Sequence, residues 1–199
     1  MIIDANRLPQ NCYATSATKR NLDIAISLPA LIVSVPIIVF AAIVILINSP
    51  GAPILAQKRV GRHRVNFTCY KLRTMHEGTR SVATHEAPAS AVTSVGRFLR
   101  KAKLDELPQL WNVLRGDMSL IGPRPCLPTQ NELVAAREHL GVFHVRPGIS
   151  GLAQVNGIDM SQPLRLADVD ARYVETATLV GDLRLLVATI WPRAAPPLG

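Results

Sequence analysis

"IAISLPALIVSVPIIVFAAIVILI", Ile24 to Ile47, holds no charged residue in 24 positions. As a helix such a run is long enough to cross a bilayer core of roughly 30 Å. Two prolines, Pro29 and Pro36, interrupt it. They lie nearly two helical turns apart, so each removes a backbone hydrogen bond on about the same face and the two kinks add. Ser27 and Ser34 can bond carbonyls freed near these breaks, which makes a bend tolerable in lipid. A secretory signal fits poorly, because the run exceeds a usual apolar signal core and no clean small-residue cleavage site follows.

Charge on either side of the run bears on its path. Arg7, Lys19 and Arg20 precede it, while Lys58, Arg59, Arg62 and Arg64 follow. Basic flanks stay in the cytoplasm, so both ends are expected on that side. A helix that dips into one leaflet and returns meets this demand. A straight single-pass anchor is the alternative, with a buried soluble helix behind both.

The whole chain has 199 residues, room for one core and an appended element. A formal net charge of +8 points to anionic partners such as phosphorylated substrates or acidic headgroups. Aromatic residues make up only 5%, and no basic stretch is interleaved with them as base stacking would need, so nucleic acid is not the expected partner. Cys12, Cys69 and Cys126 are widely spaced and form no Cys-x-x-Cys pair, which argues against a disulfide framework or zinc site and fits a reducing cytosolic compartment.

Outward from the apolar run the pattern changes. Residues 1–18 read as a polar lead-in, 19–48 as the membrane helix, 49–186 as a catalytic part at the cytoplasmic face and 187–199 as an interfacial C-terminal segment. Two strands, Ile54 to Arg59 and Val65 to Leu72, form a hairpin around Gly61, the second alternating Val65, Phe67 and Cys69 with Asn66, Thr68 and Tyr70. "HEGTRSVATHEAPAS" reads as a mobile loop. Helices are expected from a Thr93 or Ser94 cap through Lys103, from Asn131 to Leu140 before Gly141, and from Leu164 to Ala177. Asp182 is expected to cap a last apolar helix ending in Trp191 and Arg193, as interfacial helices often do. The fold class is α+β, mainly helical: a re-entrant helix, a small hairpin and a compact helical globule with interfacial helices.

The chemistry concentrates in "KLDELPQLWNVLRGDMSLIGPRP", Lys103 to Pro125. Leu104, Leu107, Leu110, Trp111 and Leu114 recur at helical spacing, and Pro108 is tolerable only near that helix's start. Asp105 and Glu106 thus fall at its N-terminal end, where exposed N–H groups favour anions. Acidic residues there are common caps, and that plain reading stands beside a reactive one. Neighbouring positions point about 100° apart, so the two carboxylates face different partners. One can attack phosphorus while the other holds a metal ion. Arg100 and Arg124 are candidates for bidentate phosphate contacts, among Arg97, Lys101, Lys103 and Arg115. In "GPRP" the flanking prolines hold Arg124 in a rigid extended loop.

Five motifs in order, "KR…D" before the apolar run, "YKLRTM", "LDELPQLWNVLRGDMSLIGPRP", "VRPGISGLAQVNG" and "RYVE" followed by "DL", closely resemble the bacterial sugar transferases, the monotopic phosphoglycosyl transferases. The resemblance covers Lys19 to about Leu186. It implies transfer of a sugar 1-phosphate from a UDP-sugar to polyprenyl (undecaprenyl) phosphate, with release of UMP, at the start of membrane glycan assembly. It implies a monotopic enzyme on the cytoplasmic face of the bacterial inner membrane, in contact with membrane lipids, and leaves a homodimer open. Asp105 matches the nucleophile, Glu106 its acidic partner at a Mg2+ site shared with Asp105, and Arg100 and Arg124 the phosphate-binding arginines. Pro36 matches the proline that breaks the membrane helix. The family often has serine directly before that proline, whereas here Val35 stands there and Ser34 one earlier. The family also commonly has asparagine where this chain has Glu175. Without the extra transmembrane bundle of larger relatives, the chain looks like a minimal catalytic core.

Other candidates are weaker. Lys71 and Arg73 can face an anionic substrate or merely be solvated. Arg146, Gln154 and Asn156 suit sugar or base recognition, or equally the satisfaction of backbone groups. The five histidines show no ligand spacing, and Asp117 reads as a loop brace. An anchored scaffold without catalysis, and a metal-dependent phosphoesterase acting without a lipid acceptor, are the rival functions.

Overall fold

The computed structural model describes residues 13–79 and 89–191. Arg7 and most of the 76–90 segment lie outside them. Mainly helical, it contains two small sheets.

The apolar run forms one continuous helix, α1 (Ala17–Asn48), with both prolines inside it. Ser16 caps its start by accepting from the Lys19 amide. The buried positions of α1 are Lys19, Asp23, Ser27, Ser34, Ala41 and Ile45. Their steps of four and seven trace a single stripe. That stripe docks on the globule at both ends of the helix. Near the start, Arg20 donates to the Val113 and Leu114 carbonyls, and Asp23 accepts from the Ser119 hydroxyl and the Leu120 amide. Near the end, Ala41 and Ile45 pack with Leu72 and Leu99. Away from the stripe, Ile32, Val33, Phe40 and Ile47 are exposed. Lys19, read above as a flanking charge, is buried against Asp182. Ser34 donates at 2.6 Å to the Ala30 carbonyl, one turn back, rather than to Ile32, whose usual donor Pro36 lacks. Ser27 is fully buried and its hydroxyl has no partner among the described residues.

The hairpin pairs β1 (Ile54–Val60) with β2 (Asn66–Leu72), antiparallel, from Ile54 opposite Leu72 to Val60 opposite Asn66. Its turn lies around Gly61 as expected, and within it His63 and Arg64 take the left-handed conformation. Burial in β2 does not alternate, since Cys69 and Leu72 are both sealed while Val65 is exposed and outside the strand. Along the free edge of β2, the buried Asn112 accepts from the Tyr70 amide and donates to the Thr68 carbonyl. One side-chain amide there does what a third strand's backbone would do.

Helix α2 (Ser94–Lys101) starts at Thr93, whose side chain accepts from the Gly96 amide. A Cβ on Gly96 would lie 2.0 Å from the Thr74 carbonyl oxygen, so glycine is what lets the helix close on that segment. The helix expected from Leu104 is split in two. Leu104–Glu106 form a 3-10 turn, and α3 (Gln109–Arg115) follows Pro108. Proline supplies no amide to carry an unbroken helix through.

A parallel pair, β3 (Ser119–Ile121) with β4 (Gly148–Ser150), was not foreseen. Three-residue strands carry too little pattern to read. Helices α4 (Asn131–His139) and α6 (Pro163–Thr176) fall within a residue of expectation, and α5 (Leu152–Val155) joins β4 towards α6. Helix α7 (Leu179–Ile190) is capped by Thr178, not Asp182. Asp182 is buried and accepts from Lys19, Tyr13 and Tyr173.

Candidate active site

The 3-10 turn of Leu104–Glu106 opens on a cleft of about 740 Å³, walled by the hairpin, the end of α2, the GPRP segment, the loop from β4 and the end of α7. Among the described residues six cationic side chains line it against three acidic ones, a formal excess of three positive charges. Such walls concentrate anions.

The two carboxylates of the turn are treated differently. Glu106 Oε1 accepts from Arg124 Nη2 at 2.5 Å and from Lys71 Nζ at 3.2 Å. Burial raises its pKa, but the charges and hydrogen bonds of Arg124 and Lys71 outweigh that and hold it at about 2. Asp105 has no hydrogen bond or ion pair among the described residues, though it is half-buried in the cleft. Burial pushes its pKa above the ordinary carboxylate value and the Glu106 charge adds to this, against the pull of Lys71, Arg100 and Arg124. An exposed-edged, unpaired carboxylate facing cations can act as a nucleophile once an anionic substrate has brought its own counter-charges.

Arg100 lines the cleft and donates through Nε to the Thr74 hydroxyl at 2.9 Å, which leaves its terminal nitrogens for a ligand. Arg73 also lines it, but its guanidinium donates to the Ser49 and Pro50 carbonyls, closing the end of α1. Gln154 lines the cleft and donates to the Ile149 carbonyl, with Oε1 buried and unpartnered among the described residues. Arg146 and Asn156 lie outside the cleft, donating to the Gly116 and Leu152 carbonyls. Pro36 and Ser34 lie in α1, also outside the cleft lining. Asp117 does brace its loop, accepting from Asn112 and lying 3.5 Å from Arg115.

Arg59 and Gln57 were missed. Arg59 is buried, lines the cleft, and donates to Gln57 Oε1 and to the Pro125 carbonyl. Their spacing of two puts both on one face of β1, a signal overlooked when Arg59 was counted only as a flanking charge.

Glu106 turns Oε1 to both of its cations, and Oε2 has no partner among the described residues, like the oxygens of Asp105. Carboxylate oxygens of this kind, beside the guanidinium groups of Arg100 and Arg124 in the cleft, fit Mg2+, which takes one or two carboxylates together with substrate phosphates and water. No group of three or more His, Cys, Asp or Glu among the described residues could hold a metal alone.

The sequence profile described as bacterial sugar transferase matches residues 14–194. The chain belongs to the bacterial sugar transferase family. This sugar transferase is 39% identical over 188 residues to the UDP-glucose:undecaprenyl-phosphate glucose-1-phosphate transferase of Caulobacter vibrioides, covering 89% of this chain and 70% of that protein. It is 37% identical over 190 residues to the undecaprenyl-phosphate galactose phosphotransferase of Salmonella typhimurium, covering 86% of this chain but 39% of that protein. With the exopolysaccharide production protein ExoY of Sinorhizobium fredii it shares 35% identity over 191 residues, 87% of this chain and 84% of that one.

Proposed function

We propose that this sugar transferase moves a sugar 1-phosphate from a UDP-sugar to polyprenyl phosphate through a covalent adduct on Asp105. The observation that carries the reading is the asymmetry of the carboxylate turn: among the described residues Glu106 is held by two cations and Asp105 by none. An Asp105 oxygen attacks the β-phosphorus of the donor, and the bond from that phosphorus to the bridging oxygen breaks. The electron pair leaves with UMP. An oxygen of the lipid phosphate then attacks the same phosphorus, the bond to Asp105 breaks, and the carboxylate is restored. Two displacements allow one substrate to come from water and the other from lipid. Arg100 and Arg124 stabilise charge on the transferring phosphoryl group. Glu106 and Asp105 would hold Mg2+, whose chemistry when bound is to neutralise the diphosphate and ease departure of UMP.

The path of α1 supports action at one membrane face. The helix is long and apolar enough to cross a bilayer. Its two ends nevertheless both dock on the one globule, while its other faces expose aliphatic residues. A re-entrant insertion from the cytoplasmic side lets those faces meet lipid and keeps the polar cleft at headgroup level.

The test is mass spectrometry of enzyme incubated with UDP-sugar alone, across a panel of sugars. The expected outcome is a sugar-phosphate adduct on Asp105, equimolar UMP, and neither product in Asp105→Asn. Persistently unmodified Asp105 during normal turnover with lipid would sink the mechanism. For the membrane path, single cysteines at positions 5 and 65 in a chain cleared of its native cysteines are both expected to label from the cytoplasmic side only.

A further inference from the structure

The segment that carries Arg124 is fixed carbonyl by carbonyl. Proline sets φ but leaves the next peptide plane free to turn about ψ, so flanking prolines alone do not aim the Arg124 side chain. Hydrogen bonds supply what is missing. The Pro123 carbonyl accepts from the Gly148 amide, that of Arg124 from Arg137 Nη1 at 2.8 Å, that of Pro125 from Arg59 Nη1 at 3.0 Å, and that of Cys126 from the Val60 amide. Three of those donors belong to the hairpin or to β4. Arg137 comes from α4, outside the cleft lining.

Arg137 is 2% exposed, and Asp170 of α6 receives its Nε at 3.0 Å and its Nη2 at 2.5 Å on one oxygen. A buried ion pair of this kind can often be exchanged for apolar side chains without loss of stability. Such an exchange here would leave the Arg124 carbonyl without its donor. We infer that Arg137, oriented by Asp170, is a positioning residue that pins the backbone of Arg124 and so aims its guanidinium at Glu106 and at substrate phosphate. The inference rests on the reading of Arg124 as a phosphate-binding group.

The test is a double-mutant cycle on the full chain in detergent, with UMP release measured on the UDP-sugar the native chain turns over fastest. Arg137→Met with Asp170→Leu removes both charges together. That variant is expected to unfold within a few degrees of the native chain and to lose about a hundredfold in kcat/KM, the scale of a misplaced catalytic group. Combining it with Arg124→Met is expected to cost nothing beyond Arg124→Met alone, because the effect passes through that side chain. Arg137→Lys, whose single ammonium cannot span Asp170 and the carbonyl together, is expected to fold and to lose comparable activity. It also carries the test if the apolar pair does not fold. Leu133→Val, one turn earlier on α4 in the same core cluster, is the stability control and is expected to keep native kcat/KM. Multiplying losses in the cycle, or native activity in Arg137→Lys, overturn the positioning role while leaving the Arg124 reading intact. Native turnover in Arg124→Met overturns both.

Discussion

Asp182 and Glu106 each take a lysine and a second strong donor, yet the clusters around them end differently. At the head of α1, Asp182 Oδ2 accepts from Lys19 and Tyr13 and its Oδ1 from Tyr173, while Asp23 nearby accepts from Ser119 and the Leu120 amide. Both carboxylates have partners and both are buried, so the cluster is closed. In the cleft, Lys71 and Arg124 both bind Glu106 Oε1, and among the described residues Asp105 beside it is left without a donor. Burial and charge are common to both sites. On the proposed mechanism, what separates the structural carboxylate from the reactive one is whether the donors run out before the acceptors do.

The largest effects should follow from exchanging the fates of these residues. Asp105→Asn is expected to abolish adduct formation and turnover with no loss of thermal stability. Asp182→Asn is expected to do the reverse. It strands Lys19 among buried groups and should destabilise by about 3 to 5 kcal/mol, the usual cost of breaking a buried pair, while folded protein at low temperature still turns over. Melting curves and UMP release on the two variants check this. A catalytically dead but fully stable Asp182→Asn would erase the distinction.

pH sharpens the same contrast, because the two cleft carboxylates are shifted in opposite directions. Glu106 is held at about 2, well below its unfolded value near 4.3. Its stabilisation is therefore present above about pH 4.3 and is lost as pH falls towards 2. Asp105 is raised by burial and by Glu106. The folded chain then holds that proton more tightly than the unfolded chain, so stability is lost as pH rises from about 3.9 through the folded value. Asn has no such proton. Asp105→Asn should thus melt above the native chain at pH 7 and match it below about pH 3.9, while Glu106→Gln should melt below it at pH 7 and converge on acidification. Melting temperatures of both variants from pH 3 to 7 decide the matter.

Much of this was legible where the cause is local. Thr93 as a cap, the bounds of α4 and α6, and the hairpin follow from spacing of a few residues. The residues the cleft gathers at the carboxylate turn lie mostly within one stretch, Arg100 to Arg124, so the sequence itself brings them near. What escaped depends on partners far along the chain. Asp182 looked like a cap because nothing nearby announces Lys19, 163 positions away. Arg59 reads only as a flanking charge at a strand end and Arg137 draws no reading, because their acceptors are backbone carbonyls of the GPRP segment, and a carbonyl leaves no mark on residue type. Arg146 and Asn156 are undivided by sequence in another way: a polar side chain in a tight loop suits a ligand and a backbone group equally, and here each donates to a backbone carbonyl.

The smallest effect belongs to the two serines of α1, which the sequence presents as equivalent neighbours of proline. Ser34 spends its hydroxyl on the Ala30 carbonyl, so Ser34→Ala gives up one hydrogen bond and should destabilise by about 0.5 to 1 kcal/mol. Ser27 is buried with its hydroxyl unmatched among the described residues, so Ser27→Ala removes a buried polar group that gains nothing from them. That change should be neutral or stabilise by up to about 1 kcal/mol. The difference in sign comes from geometry alone, since both substitutions delete the same atom from the same helix. Melting of the two variants in one detergent reads it directly, and a Ser27→Ala loss as large as that of Ser34→Ala would mean the Ser27 hydroxyl has an acceptor in the folded protein.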